Sequence, residues 1–253
     1  MHTKFAIATR FYGLTKDDVK RLAMWVDAAL AVVPASNIYV AIRTEEDLSD
    51  SLAFMHENYP DVVSFPVIPW GKVVQAPNAL LIKAAEQQMT HLFFVSTEYP
   101  ITEPLVSLLV SHVDSKTLVV GARLVYHDFK AYPREVVEVE RANGSHIPWN
   151  TFAAWSVERL VHTGFVLAAD SLHDPNNAGM EEMGTIAAQQ ILWPGNALAK
   201  LVDVPKENLV LNTYGWNIKR QERYIHNMES KNSRSTSQLE RLRLPSPMVL
   251  HIG

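Results

Sequence analysis

Short apolar runs that alternate with stretches of helical periodicity constrain this chain more than any other feature. The first run, Phe5-Ala6-Ile7-Ala8, precedes TKDDVKRLAMWVDAALAVV. There Thr15 reads as a helix cap, Asp18 closes a capping box, and Val19, Leu22, Ala23, Val26, Ala29, Leu30 and Val33 recur at helical spacing. Asn37–Ile42 is the second run, followed by a helix through Leu48, Leu52 and Met55. The third, Val62–Ile68, leads to Pro77 in a first helical turn and on through NALLIKAAEQQ. The fourth is His91–Val95, which breaks into Ser96, Thr97 and Glu98. Runs apolar on both faces predict buried strands, hence a mostly parallel sheet with helices on either side.

Beyond Thr102 the pattern loosens. Thr102 and Pro104 start a helix through Leu105, Leu108 and Leu109, and Thr117–Val125 reads as a strand. An irregular stretch with Pro133, Gly144 and Pro148 follows, then the run Gly164–Ala169 ending at Asp170, then an acidic helix start, Gly179-Met180-Glu181-Glu182-Met183-Gly184. Residues 3–215 are expected to form one α/β domain with an elaborated second half. Residues 216–253 are expected to form a basic, partly flexible C-terminal extension, because 216–243 holds seven Lys/Arg against three Glu in a chain of net charge −4. Within it ESKNSRSTSQ, 229–238, is nearly free of apolar residues and reads as a loop or linker.

Several function classes fall on absences. The chain has no cysteine, so disulfides and thiolate chemistry are excluded, and a metal would have to be held by carboxylate, imidazole or backbone oxygen. No apolar stretch reaches the ~20 residues of a membrane span, and the N-terminus lacks the apolar core of a signal peptide, so a cytoplasmic protein is expected. The negative net charge argues against a nucleic-acid partner. Neither GxxxxGK[ST], nor GxGxxG after the first run, nor GxSxG occurs.

In a parallel α/β sheet, ligands bind beyond the carboxyl ends of the strands. That rule gathers Thr9 and Arg10, Arg43 to Glu46, Trp70 to Lys72, and Ser96 to Glu98 into one place. Strand ends are also polar because they lead into solvated loops, and Glu98 reads either as a ligand or as a solvated strand end. Arg10, Arg43 and Lys72 suit a diphosphate; Asn78 suits a nucleotide or a helix start. Trp149, Phe152 and Trp155 read as a stacking platform for a sugar or as the core face of a helix.

The order of these elements resembles the glycosyltransferases of the GT-A fold, nearest the large inverting family 2. The likeness rests on the capped first unit, a second strand ending in Arg43-Thr44-Glu45-Glu46-Asp47, an Asn78-led helix, and a strand ending where the family has Asp-x-Asp. Thr163–Ala168 is similar to the strand before the acceptor region, and Gly179-Met180-Glu181-Glu182 to the segment that supplies the base. The resemblance implies a nucleotide-sugar donor held by Thr9, Arg10, Arg43, Glu45, Asn78, Ser96 and Thr97. It also implies an acceptor hydroxyl deprotonated by Glu182, with Glu181 its competitor, and a divalent Mg²⁺ or Mn²⁺ at Glu98, the one carboxylate left in the Asp-x-Asp slots. His226 is a further candidate ligand. The rival is a catalytically impaired protein of the same fold that binds a nucleotide-sugar or a protein partner, and the basic extension offers a surface for such a partner or for a second copy.

Overall fold

The computed structural model describes residues 4–13, 15–44, 49–172, 174–205 and 209–253. The first half is built as the apolar runs predict. Strand β1, Phe5–Phe11, is followed by helix α1, Lys16–Leu30, which Thr15 and Asp18 start with the expected reciprocal capping box. Strand β2, Ile38–Ile42, leads to helix α2, Ser49–Asn58, and strand β3, Val63–Pro66, to helix α3, Gln75–Glu86. Strand β4, His91–Val95, ends this half, and helix α4, Glu103–Ser111, opens the next.

Strand β5, Thr117–Ala122, is three residues shorter than its apolar run. The ladder stops because Leu124–His127 turns, the Leu124 N–H donating to His127 Nδ1 at 2.8 Å. A short strand β6, Val136–Val139, and strand β7, Phe152–Ser156, then precede the single-turn helix α5, Val157–Leu160. Helix α6, Glu181–Leu192, strand β8, Leu198–Val202, helices α7, Ile218–Glu229, and α8, Lys231–Leu242, and strand β9, Val249–Ile252, complete the order.

One sheet holds all of these strands, in the order β3-β2-β1-β4-β7-β5-β8-β9-β6. The pairs from β3 through β4 are parallel, as are β5 with β8 and β8 with β9, while β7 and β6 run against their neighbours. This is the mostly parallel, helix-flanked sheet that the sequence predicts. The chain leaves β1 toward β2 on one side and returns to β4 on the other, so the carboxyl ends of β1 and β4 form the switch point, the position at which α/β sheets bind ligands.

Three expectations are corrected. Gly164–Ala169 is no strand: Asn78 accepts from the Phe165 N–H at 2.8 Å and donates to its carbonyl at 3.0 Å, and Leu167–Asp170 closes as a 3₁₀ turn. The strand of this region is β7 instead, and the aromatic set is neither platform nor helix. Phe152 and Trp155 lie within β7, Trp149 just before it, and all three are buried in the core. Finally, residues 229–238 are no linker, since most of them belong to α8. The reason lies in polar side chains that bury against backbone. Arg234 donates to the carbonyls of Ala178 and Asn227, and Gln238 accepts from the Gly184 N–H at 2.6 Å. The 216–253 segment thus contributes two helices and an internal strand of the shared sheet.

Candidate functional site

At the end of β4, charge is concentrated. Ser96 Oγ donates to Glu98 Oε2, and Glu98 Oε1 accepts from Arg220 Nη2 of α7 at 2.7 Å. The other arm of Arg220 donates to Asp18 Oδ1 at 2.7 Å, and Asp18 is also bonded by Arg21 of α1. Burial alone would raise the Asp18 carboxyl; the hydrogen bonds from Arg220 and Thr15 and the charge of Arg21 override it and hold it at about 2. The capping residue that starts α1 therefore also anchors two guanidiniums beside the switch point. Arg220 lies over the Trp216 ring, 5.2 Å from its centroid, and its side chain remains 28% exposed, so the guanidinium reaches solvent from a fixed position.

A second cluster lies at the start of α6. Gly179 and Met180 both take positive φ, 113° and 61°, which turns the chain sharply into the helix and brings Glu181 and Glu182 inward together. Both carboxylates are buried and both meet Asn150: Glu182 Oε1 accepts from its backbone N–H at 2.6 Å, and Glu181 Oε1 from its side-chain amide at 3.0 Å. Asn150 is fixed in turn by accepting from the Trp155 indole N–H at 2.8 Å. Burial, and then the charge of Glu181, push the Glu182 carboxyl up to about 7, against the opposing pull of Lys231 and the Asn150 N–H. The helix dipole, which would lower it, is outweighed by desolvation.

Lys231, the first residue of α8, is the cation of this cluster. Its ammonium stands 3.7 Å from the centre of the Trp149 ring and 3.6 Å from Met180 Sδ, partners that are soft rather than anionic. Burial depresses it to about 8 while Glu182 and Glu181 hold it up. Beside Lys231 opens a cavity of about 410 Å³ lined by Tyr126, Asn143, Ser145 and Asn232 among others. The arrangement can hold one carboxylate near the midpoint of its titration at neutral pH, and it is Lys231, rather than either glutamate, that lines the neighbouring space, which is large enough for a small polar molecule.

The remaining expected residues are placed as follows. Strand β1 runs to Phe11, so Thr9 is buried inside the strand, and Tyr12, half exposed, follows it beside Trp70. Arg10 donates to the Val73 carbonyl at 2.9 Å. Arg43 follows β2, its N–H bonded to the Phe11 carbonyl, and Glu45 lies outside the described residues. Ser96 and Thr97 are half-buried at the end of β4. Asn78 clamps Phe165, which gives its amide a structural task in place of the donor contact expected of it. The Lys72 side chain is exposed, and its N–H together with those of Val73 and Val74 binds the buried Asp170 carboxylate, which occupies the N-terminus of α3. His226 faces solvent on α7.

The donor set does not fit a divalent cation at Glu98. Both of its oxygens are engaged, one by a hydroxyl and one by a guanidinium, and among the described residues no three Asp, Glu or His side chains gather to hold a metal. Sequence reasoning missed Arg220, Arg21, Asn150 and Lys231. Only Arg21 carried a signal, standing one helical turn after Asp18.

No family model matches the chain, and no curated protein matches it in sequence. Solved structures do. The mannosyltransferase PcManGT of Pyrobaculum calidifontis, in complex with GDP-Man and Mn²⁺, aligns at a TM-score of 0.59 and 13% identity over 95% of this chain. The chain spans 65% of the length of that enzyme. TarS of S. aureus, in complex with UDP-GlcNAc, aligns at 0.53 and 12% identity over 93% of this chain and 70% of its own. Glucosyl-3-phosphoglycerate synthase from Mycobacterium tuberculosis, in complex with phosphoglyceric acid, aligns at 0.51 and 13% identity over 92% of this chain and 80% of its own. No helix among the described residues is long and apolar enough to cross a membrane. At identities this low the likeness is one of architecture, and the chain has the GT-A-like α/β fold found in these glycosyltransferases.

Proposed function

We propose that the chain is a glycosyltransferase that moves a sugar from a nucleotide-diphosphate donor to an acceptor hydroxyl, with inversion, and that Glu182 is its general base. The observation that carries this reading is the buried Glu182 carboxyl, raised to about 7 at the start of α6. A base works best when its pKa lies near the operating pH, and a buried carboxylate raised by more than two units is poised for that task. In the step, the acceptor oxygen bonds to the anomeric carbon as its proton passes to Glu182, and the bond from that carbon to the diphosphate oxygen breaks on the opposite face. The donor lies over the switch point beside Arg10, Arg43, Ser96 and Thr97. The cavity beside Lys231 takes the acceptor, its amide and hydroxyl groups suited to a polyhydroxylated molecule.

The test is a nucleotide-sugar panel, by thermal shift and then by transfer or donor hydrolysis, on wild type and Glu182→Gln. The variant is expected to lose ~10²- to 10⁴-fold in turnover while still binding donor. Turnover at the wild-type rate would sink the assignment. A second reading, a protein that binds the nucleotide-sugar without turning it over, draws on Ser96 in place of an acidic residue and on the engagement of Glu98 by Arg220. Donor binding with neither transfer nor hydrolysis in wild type would select it.

A further inference from the structure

At the end of β4, where the resemblance puts a metal ligand, the chain places a guanidinium. We infer that Arg220 of α7 takes the position of a divalent cation, so that the protein binds the diphosphate of its donor without metal. The inference rests on the donor reading above and deepens it.

Three observations carry it. First, Arg220 is held by two carboxylates that reach it from different elements, Asp18 of α1 and Glu98 after β4, at 2.7 Å each. Two anchors fix both the position and the plane of the group, and Trp216 lies against it. Second, those contacts leave further N–H donors on the fork, and the side chain, 28% exposed, is open to a ligand at the switch point. A planar fork that is always charged suits a diphosphate as well as a carboxylate. Third, the local charge disfavours a metal. Asp18 and Glu98 are balanced by Arg21 and Arg220, so a divalent ion at Glu98 would have to displace one guanidinium and would meet the repulsion of both. The backbone holds the arrangement as well, because the Asn212 N–H donates to the Glu98 carbonyl at 2.7 Å and so ties the segment leading into α7 to the end of β4.

Calorimetric binding of UDP, GDP, UMP and GMP, each in EDTA and in Mn²⁺, tests the inference on wild type, Arg220→Gln and Glu98→Gln. Wild type is expected to bind one diphosphate in EDTA, with Mn²⁺ changing that affinity by less than about 3-fold. Arg220→Gln should weaken the diphosphate roughly 10- to 100-fold, the loss expected for a hydrogen bond to a charged group, and erase most of the preference for diphosphate over monophosphate. Glu98→Gln separates the two roles by metal dependence. Removing an anchor of Arg220 should weaken the diphosphate to the same degree in EDTA and in Mn²⁺, whereas removing a metal ligand should weaken binding only in Mn²⁺. Circular dichroism on both variants guards against unfolding, and the folded Glu98→Gln protein decides the matter if Arg220→Gln does not fold. Diphosphate binding that appears only with Mn²⁺ and is lost in Glu98→Gln would overturn the inference and leave the donor reading standing, as would an Arg220→Gln protein that binds like wild type. Absence of any diphosphate binding under both conditions would overturn the donor reading and this inference with it.

Discussion

Replacing Glu181 by Gln keeps its shape and its reach to Asn150 but removes the like charge beside Glu182. That charge is the second cause, after burial, of the high Glu182 pKa. Both carboxylates contact the same residue, Asn150, through its backbone N–H and its side-chain amide. At an effective dielectric of about 20, two like charges repel by about 4 kcal/mol at ~4 Å and by less as they separate, which sets an upper bound for groups that rearrange. Since burial, the larger cause, persists in the variant, the Glu182 carboxyl should fall below about 7 and remain above the ordinary value for glutamate. The sign is then definite. A base acts ionised, so the rate of wild type should fall as pH drops through about 7, and in Glu181→Gln the same fall should come at lower pH, with the plateau above pH 8 kept within a few-fold. The assay is kcat/KM from pH 4.5 to 9 with whichever donor the panel identifies, using overlapping buffers at constant ionic strength. An acid limb that stays in place in Glu181→Gln would refute the like-charge argument. A wild-type profile with no acid limb between about pH 6 and 8 would refute the choice of base.

Lys231→Met should do the opposite. It removes the cation that pulls the Glu182 carboxyl down and keeps most of the volume against Trp149, so the acid limb should rise above about 7; a limb that moved down would contradict the assigned geometry. Gly184→Ala probes the seam between α6 and α8. An added Cβ would stand 2.5 Å from Gln238 Oε1 and 2.9 Å from Leu242 Cδ1, so overpacking of ~1–3 kcal/mol should exceed the gain in helix propensity and lower Tm by several degrees. An unchanged or raised Tm in differential scanning calorimetry would show that the seam yields without cost.

What could be read from the sequence follows from where burial is apolar. The β1–α1 unit announces itself through Thr15, Asp18 and a regular apolar stripe, and the acidic start of α6 through Gly179 and the two glutamates. Helix α8 stays hidden because the face it buries is polar. Lys231, Arg234, Ser235 and Gln238 are all buried, and a method that looks for apolar periodicity sees only a solvated linker. Strand β7 misleads for a different reason. Phe152 and Trp155 are three apart, a helical interval, yet they lie in a strand covered on both faces, where every position is buried and the period of two disappears. Arg220 and Lys231 were out of reach altogether. Arg220 meets Asp18 and Glu98 across 202 and 122 residues of chain, a separation that no local pattern encodes.

The place of β9 in the sheet bears on how the molecule is made. Val249–Ile252 inserts between β8 and β6, so β6, near residue 136, waits for its one partner strand among the described residues until the ribosome has delivered residues more than a hundred positions later. Helices α7 and α8 emerge between β8 and β9, which means that Arg220 and Lys231 arrive after the carboxylates they neutralise. A nascent chain that ends at β8 therefore carries Glu98, Glu181 and Glu182 without Arg220 and Lys231 and leaves β6 unpaired, a long-range pairing of the kind that slows folding. Translation speed past residue 202, and chaperone capture of chains stalled there, should govern the yield of native protein more than any event in the first half.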